Sequence, residues 1–333
     1  MTMMKRFSIR RGGLCPWAAG LSLWVAAALL LVPGEGGAVC KGEAFQKRPI
    51  VVIGEPAVAA CLRLKVAPRA WVGRKNLWDD AAHLKAASEF LGCPGRLSGP
   101  AGKEVVKRIV ELSPERVYLG FSGCLYRPDI EEKKLVKILR GAGLDPVVLD
   151  FSKGPAPAVR RLAADFGLEQ AGEELIRDYE NRLALARQRL AKVPKGLRVA
   201  VVSGSFQEGT GKAFIRLEAP QGYSDRFILE PCGAMNVGAE LVAAGEKVDK
   251  GHVMLRNLDK VMAAHPDLIA ATGDALAVSL RLAGKGNGPA PAVFPLPLYA
   301  DSDPLAYPEA LTRWSAALSG IKPAGSGVVS KNR

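Results

Sequence analysis

From Arg48 onward, short runs of apolar, β-branched residues alternate with stretches whose apolar positions recur every three or four residues. Ile50-Val51-Val52-Ile53 reads as a buried strand closed by Gly54-Glu55-Pro56. Residues 57–64 read as a short helix, Ala70-Trp71-Val72-Gly73 as a second strand, and 79–91 as a helical run. Residues 103–112 set Val105, Val106, Ile109, Val110 and Leu112 on one helical face; Pro114 closes that helix, and Val117-Tyr118-Leu119-Gly120 follows as a strand. An amphipathic helix over 130–140, stopped at Gly141 or Gly143, leads into a strand at Val147-Val148-Leu149. The alternation predicts an α/β lobe.

The pattern then changes. Residues 156–193 are helical almost throughout, with a break at Gly167. Leu175, Ile176, Tyr179, Leu183, Ala186 and Leu190 form one stripe of the second part, and Glu173, Arg177, Glu180, Arg187 and Arg189 form the opposite face. A helix over 171–193 would span roughly 34 Å, the width of a small domain. Pro194 stops it and a strand begins at 197–202. A second α/β pattern follows: a strand at 213–216, helices near 227–243 and 255–264, a strand at 268–270 and a closing helix at 305–318. The expected architecture is two Rossmann-like α/β lobes bridged by a single long backbone helix, with a ligand cleft between the lobes. The lobes are placed at 39–155 and 195–318, the bridging segment at 156–194 and a tail at 319–333.

The first 38 residues do not fit this plan. Lys5, Arg6, Arg10 and Arg11 precede an apolar run over 17–32, which Pro33-Gly34 breaks, and Gly36-Gly37-Ala38 supplies small residues for cleavage. The run is long for a signal core and short for a spanning helix, so a cleaved secretory signal is expected, with the mature chain starting near Val39. The flanks of Arg10-Arg11 fit a twin-arginine signal poorly. Cys40 follows Val39 rather than a small residue, which disfavours lipid attachment there.

Composition narrows the function. Apolar residues make up 48% and charged residues 24%, an ordinary globular balance. Aromatics are 6% and unclustered, which argues against a stacking platform for nucleic acid. The three histidines, His83, His252 and His265, argue against a multi-histidine metal enzyme. Lys and Arg number 46 against 33 acidic residues, for a net charge of +13. Loss of the leader would remove four basic residues and Glu35 and leave about +10, a field suited to an anionic ligand or lipid surface. No cysteine pair has C-x-x-C spacing; any bridge is expected inside the first lobe, with Cys93 and Cys124 the preferred pair.

One phrase occurs twice. Ile109-Val110-Glu111-Leu112-Ser113-Pro114-Glu115-Arg116-Val117-Tyr118 is a helix end, a Pro turn and a strand, and Val261-Met262-Ala263-Ala264-His265-Pro266-Asp267-Leu268-Ile269 repeats it. It resembles the helix, x-Pro-Asp, strand signature of the class III solute-binding proteins of ABC importers. Leu168-Glu169-Gln170-Ala171 and the long helix resemble that family's bridge. Cys232-Gly233-Ala234-Met235-Asn236-Val237-Gly238 resembles its Ala-Gly-Gly-x-Asn-Val run. The resemblance covers about residues 48–275. It implies a periplasmic binding protein rather than an enzyme, with no resident cofactor. Such a protein would be a monomer that captures a ferric siderophore, haem, a corrinoid or a related anionic small molecule for an inner-membrane permease. The family presents an acidic residue to the permease from each lobe, at the start of the helix before the Pro turn. Asp259 occupies that place in the second lobe; the first has Lys107 there, with Glu104 one turn earlier. The family's Ser-Leu-Ser-Pro opening is replaced by Val52-Ile53-Gly54-Glu55-Pro56.

Ligands of such folds sit at the C-terminal ends of strands. That places Glu55, Lys75, Trp78, Tyr126 and Arg127 on the first-lobe rim and Arg216, Tyr223, Arg226 and His252 opposite. Trp78, Tyr126 and Tyr223 suit flat apolar contact, and Lys75, Arg127, Arg216 and Arg226 suit carboxylates or phosphates; the competing reading is that each is a loop residue packing locally. His252 reads either as an axial metal ligand or as a solvated loop histidine. His83 is expected on a helix and His265 in a structural turn. The Gly-rich stretch 204–212 lacks P-loop spacing and reads as a cleft loop. The rival readings are an exported α/β enzyme, for which no Gly-x-Ser-x-Gly elbow exists, and a receptor for bare zinc or manganese, for which only one histidine is expected near the cleft.

Overall fold

The computed structural model describes residues 45–73, 84, 87–93, 97, 99–121, 132–207, 212–249, 251–273, 292–296 and 303–321. The expected leader, His83, and the rim residues Lys75, Trp78, Tyr126 and Arg127 lie outside the described residues.

In the first lobe, β1 (Gln46–Ile53), β2 (Val66–Val72), β3 (Glu89–Phe90), β4 (Arg116–Phe121) and β5 (Pro146–Asp150) form a parallel sheet in the order β3-β2-β1-β4-β5. Both faces of the sheet are covered, which is why its centre reads as a continuous apolar run. Val52, Trp71, Tyr118 and Leu149 pack on α1 (Glu55–Arg63) and α4 (Ala156–Phe166). Val51, Ile53, Val72 and Leu119 pack on α2 (Gly102–Glu111) and α3 (Glu132–Gly141). Strand order reverses between β1 and β4. There Gly54, at φ 97°, lies so near Gly120 that a Cβ would fall 2.0 Å from the Gly120 carbonyl oxygen. A side chain would push α1 off the switch point.

The helix expected over 79–91 does not reach its C-terminal end as helix. Glu89–Phe90 is instead an edge strand beside Trp71, with the Phe90 and Trp71 rings 4.6 Å apart. Stacking and ladder bonds there override the helical spacing. Cys93 follows this strand as an exposed free thiol, so the expected Cys93–Cys124 bridge is not formed; Cys61 and Cys232 are buried free thiols.

The bridge is α5 (Glu169–Leu190), separated from α4 at Gly167. Ile176 and Tyr179 enter the first-lobe core, Ala186 and Leu190 enter the second, and Leu183 touches both. A closing helix, α9 (Tyr307–Ser319), packs along it. Leu305, in the 3-10 turn before α9, belongs to the first core, and Leu311, Trp314 and Leu318 belong to the second. Arg182 of α5 pairs with Glu309 of α9 and, at 2.8 Å, with Asp178. Both α5 and α9 therefore touch the two cores, and α5 is the helix that connects the first sheet to the second.

The second sheet comprises β6 (Arg198–Gln207), β7 (Lys212–Glu218), β10 (His252–Leu255), β9 (Val248–Asp249), β11 (Leu268–Gly273) and β12 (Ala292–Leu296), ordered β12-β11-β6-β7-β10-β9, with β8 (Met235–Asn236) beside β6. β12, β11, β6 and β8 are parallel, and β7, β10 and β9 extend the sheet antiparallel. Residues 208–211 alone separate β6 from β7, too few for a crossover, so this lobe is mixed where the first is parallel. The helix expected over 227–243 is interrupted: a π-helical turn (Asp225–Leu229) and α6 (Glu230–Cys232) end at Gly233, and α7 (Val237–Ala243) starts afresh with the Asn236 side chain accepting from the Gly238 amide at 2.8 Å. The helix expected over 255–264 shrinks to α8 (Asp259–Ala263), because β10 holds its first turn in the antiparallel ladder.

The repeated phrase has one geometry in both lobes. Ser113 and His265 both take left-handed backbones, at φ 45° and 46°. The amides of Glu115 and Asp267 donate to the carbonyls of Pro49 and Arg198, each at 2.8 Å, fixing the following strand beside β1 or β6.

Candidate functional site: a pocket between the lobes

A pocket of about 520 Å³ lies where the lobes meet against α5. Residues 151–156, which leave the C-terminal end of β5 and enter α4, form its first-lobe wall. Tyr179, Leu183 and Arg187 recur every four residues along one face of α5 and form the floor, with Glu180 beside them. Tyr223 and Phe227 come from the second lobe, Pro304 from the 3-10 turn before α9 and Tyr307 from the start of α9.

The aromatic groups are held in mutual register. The Tyr223 and Phe227 rings lie 5.3 Å apart, and Phe227 meets Tyr307 edge-on at 6.3 Å. The Tyr307 hydroxyl donates to the Phe227 carbonyl at 2.6 Å, and the Arg226 guanidinium lies 5.7 Å from the Phe227 ring centre. Burial pushes the Tyr179 hydroxyl up to about 12 and raises that of Tyr307, so both stay protonated donors near neutrality. Lys153 and Arg187 face one carboxylate, Glu180, among the described lining residues. Aromatic walls with excess positive charge suit a flat or apolar body bearing anionic groups.

The second-lobe wall rests on a partly buried carboxylate. Glu218 Oε1 accepts from the backbone amides of Ser224 at 2.8 Å and Asp225 at 3.2 Å, and Oε2 accepts from the Ser224 hydroxyl at 2.9 Å. Burial, with a smaller contribution from the Asp225 charge, pushes its pKa up to about 7 against those three bonds. Nothing in the spacing of the sequence singles out Glu218; its alternation with Leu217 and Ala219 on a strand is the only trace.

Of the residues named from the sequence, Tyr223 stands in the pocket and Arg226 beside it, exposed. Arg216 is half-buried on β7, opposite Ser203 on one side and Met254 on the other. His252 is not in a loop: it opens β10, opposite Glu218 and Asp249, because the β7–β10 pairing extends the strand to it. Glu55 is wholly buried in the first turn of α1. Glu104 and Asp259 are exposed in the first turns of α2 and α8; in the repeat Asp259 is matched by Lys107, three residues after Glu104.

No family model and no curated protein sequence matches the chain. Solved structures do. The periplasmic heme-binding protein RhuT from Roseiflexus sp. RS-1 in apo form superposes with a TM-score of 0.58 at 18% identity, over 83% of this chain and 99% of that one. A periplasmic heme-binding protein from Pseudomonas aeruginosa gives 0.53 at 18% identity, over 82% and 94%. The siderophore periplasmic binding protein from the fuscachelin gene cluster of Thermobifida fusca gives 0.55 at 16% identity, over 84% and 98%. The fold is that of the class III solute-binding proteins.

Proposed function

We propose that this chain is the exported, periplasmic substrate-binding component of an ABC importer. It captures an anionic metal chelate (a ferric siderophore, haem or a corrinoid) and delivers it to the membrane permease. The observation that carries this reading is the aromatic, cation-flanked pocket between two lobes joined through α5. Such a site recognises size, flatness and charge, which suits the capture of a solute. The N-terminal basic and apolar segment supports export.

In this reading Tyr223 and Phe227 supply apolar contact, Lys153, Arg216 and Arg226 supply charge for carboxylate or phenolate groups, and the exposed Arg187 adds to the attracting field. On the same reading Lys75, Trp78, Tyr126 and Arg127 of the first lobe contact the ligand, as do Glu55 and His252. Glu104 and Asp259 are the docking points for the permease, acting from a monomer. The test is a binding screen on the chain from Val39 onward, using haemin, a ferric tris-catecholate and cyanocobalamin. Visible difference spectra and calorimetry should find one of them bound at one equivalent with a Kd of about 1 μM or below, ~8 kcal/mol. Failure of all three to bind, or equal binding to the metal-free chelators and bare zinc, would overturn it.

A further inference from the structure

We propose that Glu218 is the positioning residue of the interlobe pocket: its carboxylate holds the turn that carries Tyr223 and Phe227, and its protonation loosens that wall. The geometry is specific. Three donors from two consecutive residues converge on one carboxylate at the end of β7, and the turn they begin runs directly into the π-helical segment bearing Phe227. The turn also wraps too closely to tolerate a side chain: a Cβ on Gly222 would fall 2.3 Å from Glu218 Oε1. Gln221 donates its amide to Asp225 at 2.7 Å, so the segment closes on itself and has Glu218 as its anchor in the sheet.

Protonation changes all three bonds at once. A carboxylate accepts charge-assisted bonds, roughly twice as strong as neutral ones. A neutral acid leaves the two amides with a weaker acceptor and reverses the bond to the Ser224 hydroxyl, since the acid proton must itself be donated. Among the described residues, the titratable and charged groups around Glu218 are Asp225 on the turn, His252 directly opposite on β10, and Arg216 two residues earlier on β7; β6 is apolar at this level, with Val201 and Val202, and α7 approaches the Glu218 backbone at Gly238. Burial brings the change into the neutral range, where modest acidification would act on it.

That such loosening releases a solute rests on the solute-binding reading, but the positioning role is testable without any ligand. Amide hydrogen exchange over residues 220–230, corrected for the intrinsic pH dependence of exchange, is expected to show at least fivefold higher protection at pH 8.5 than at pH 5.5 in the unsubstituted chain. Glu218→Gln should show the low value at both pH values, and peptides from β6 and β11 should be unchanged. In protein labelled with 3-fluorotyrosine, the fluorine resonance of Tyr223, assigned through Tyr223→Phe, should move with the same midpoint. Protection that stays flat from pH 5.5 to 8.5, wild-type protection in Glu218→Gln at pH 8.5, or a Tyr223 resonance that ignores the transition would each overturn the proposal. A negative chelate screen would leave these results unaffected, so the two readings fail separately.

Discussion

The Glu218 carboxyl group titrates near pH 7 in the folded chain, against an ordinary value of 4.5. Between those values the folded state binds the proton and the unfolded state does not, so this residue's contribution to stability falls as pH rises through the window. Turn order and global stability move in opposite directions because they release different interactions. The donors of Ser224 and Asp225 favour the ionised form, so ionisation opposes a turn opening that leaves Glu218 on β7 out of water. Global unfolding instead solvates the charge and is favoured by it. Glu218→Gln removes the titration, and thermal melts should show the variant gaining on the unsubstituted chain from pH 5 to pH 8. A difference in melting temperature that stays constant across that range would refute the assignment. The contrast with Tyr223 shows what a sequence exposes at this scale. Tyr223 stands in a polar stretch just after a strand, where an aromatic stands out; Glu218 matters only through donors that converge on it once the chain has turned back. His252 was misplaced for the same reason, since Gly251 marks a turn but cannot reveal the β7 partner that makes the next four residues a strand.

At the scale of elements, α5 was the most legible part of the chain. Each apolar residue of its stripe is used, and the division between Tyr179 and Ala186 marks where the helix leaves one core for the other. Helical period survives because no partner strand competes with it. The second-lobe helix near 227–243 shared that period but contained Pro231-Cys232-Gly233, and the left-handed Gly233 ends the helix where apolar spacing alone would continue it. The sharing of α5 makes a mechanical prediction. Ile176→Ala and Leu190→Ala should each cost about 2–5 kcal/mol, as buried large-to-small changes do. Because α5 and α9 tie both cores together, each variant should shift one single calorimetric transition. Two resolved transitions, with each substitution moving only one of them, would show that the lobes unfold independently and that α5 is a tether.

At the scale of the whole molecule, the two-lobed plan was legible because the Pro-turn phrase occurs once per lobe and does the same work in each, seating a strand beside β1 or β6. The pocket was not legible as a unit. Its walls come from residues 151–156, 179–187, 223–227 and 304–307, and only folding brings the last of these beside the others. Net charge, by contrast, is a property of the full sequence, at +13, and of about +10 without the leader. A field of that sign acts before contact, on the rate at which an anionic chelate arrives. Arg187 is exposed at the end of the α5 face that floors the pocket, so its charge should govern encounter more than residence. With the chelate retained in the screen, Arg187→Glu should slow association about tenfold at 20 mM salt, where the screening length is roughly 20 Å. At 0.5 M salt the gap should close to about twofold, while dissociation changes little at either concentration. Stopped-flow measurements on both proteins decide it. An association rate indifferent to salt, or a substitution felt only in dissociation, would place Arg187 in direct contact with the ligand and remove the long-range field from the mechanism.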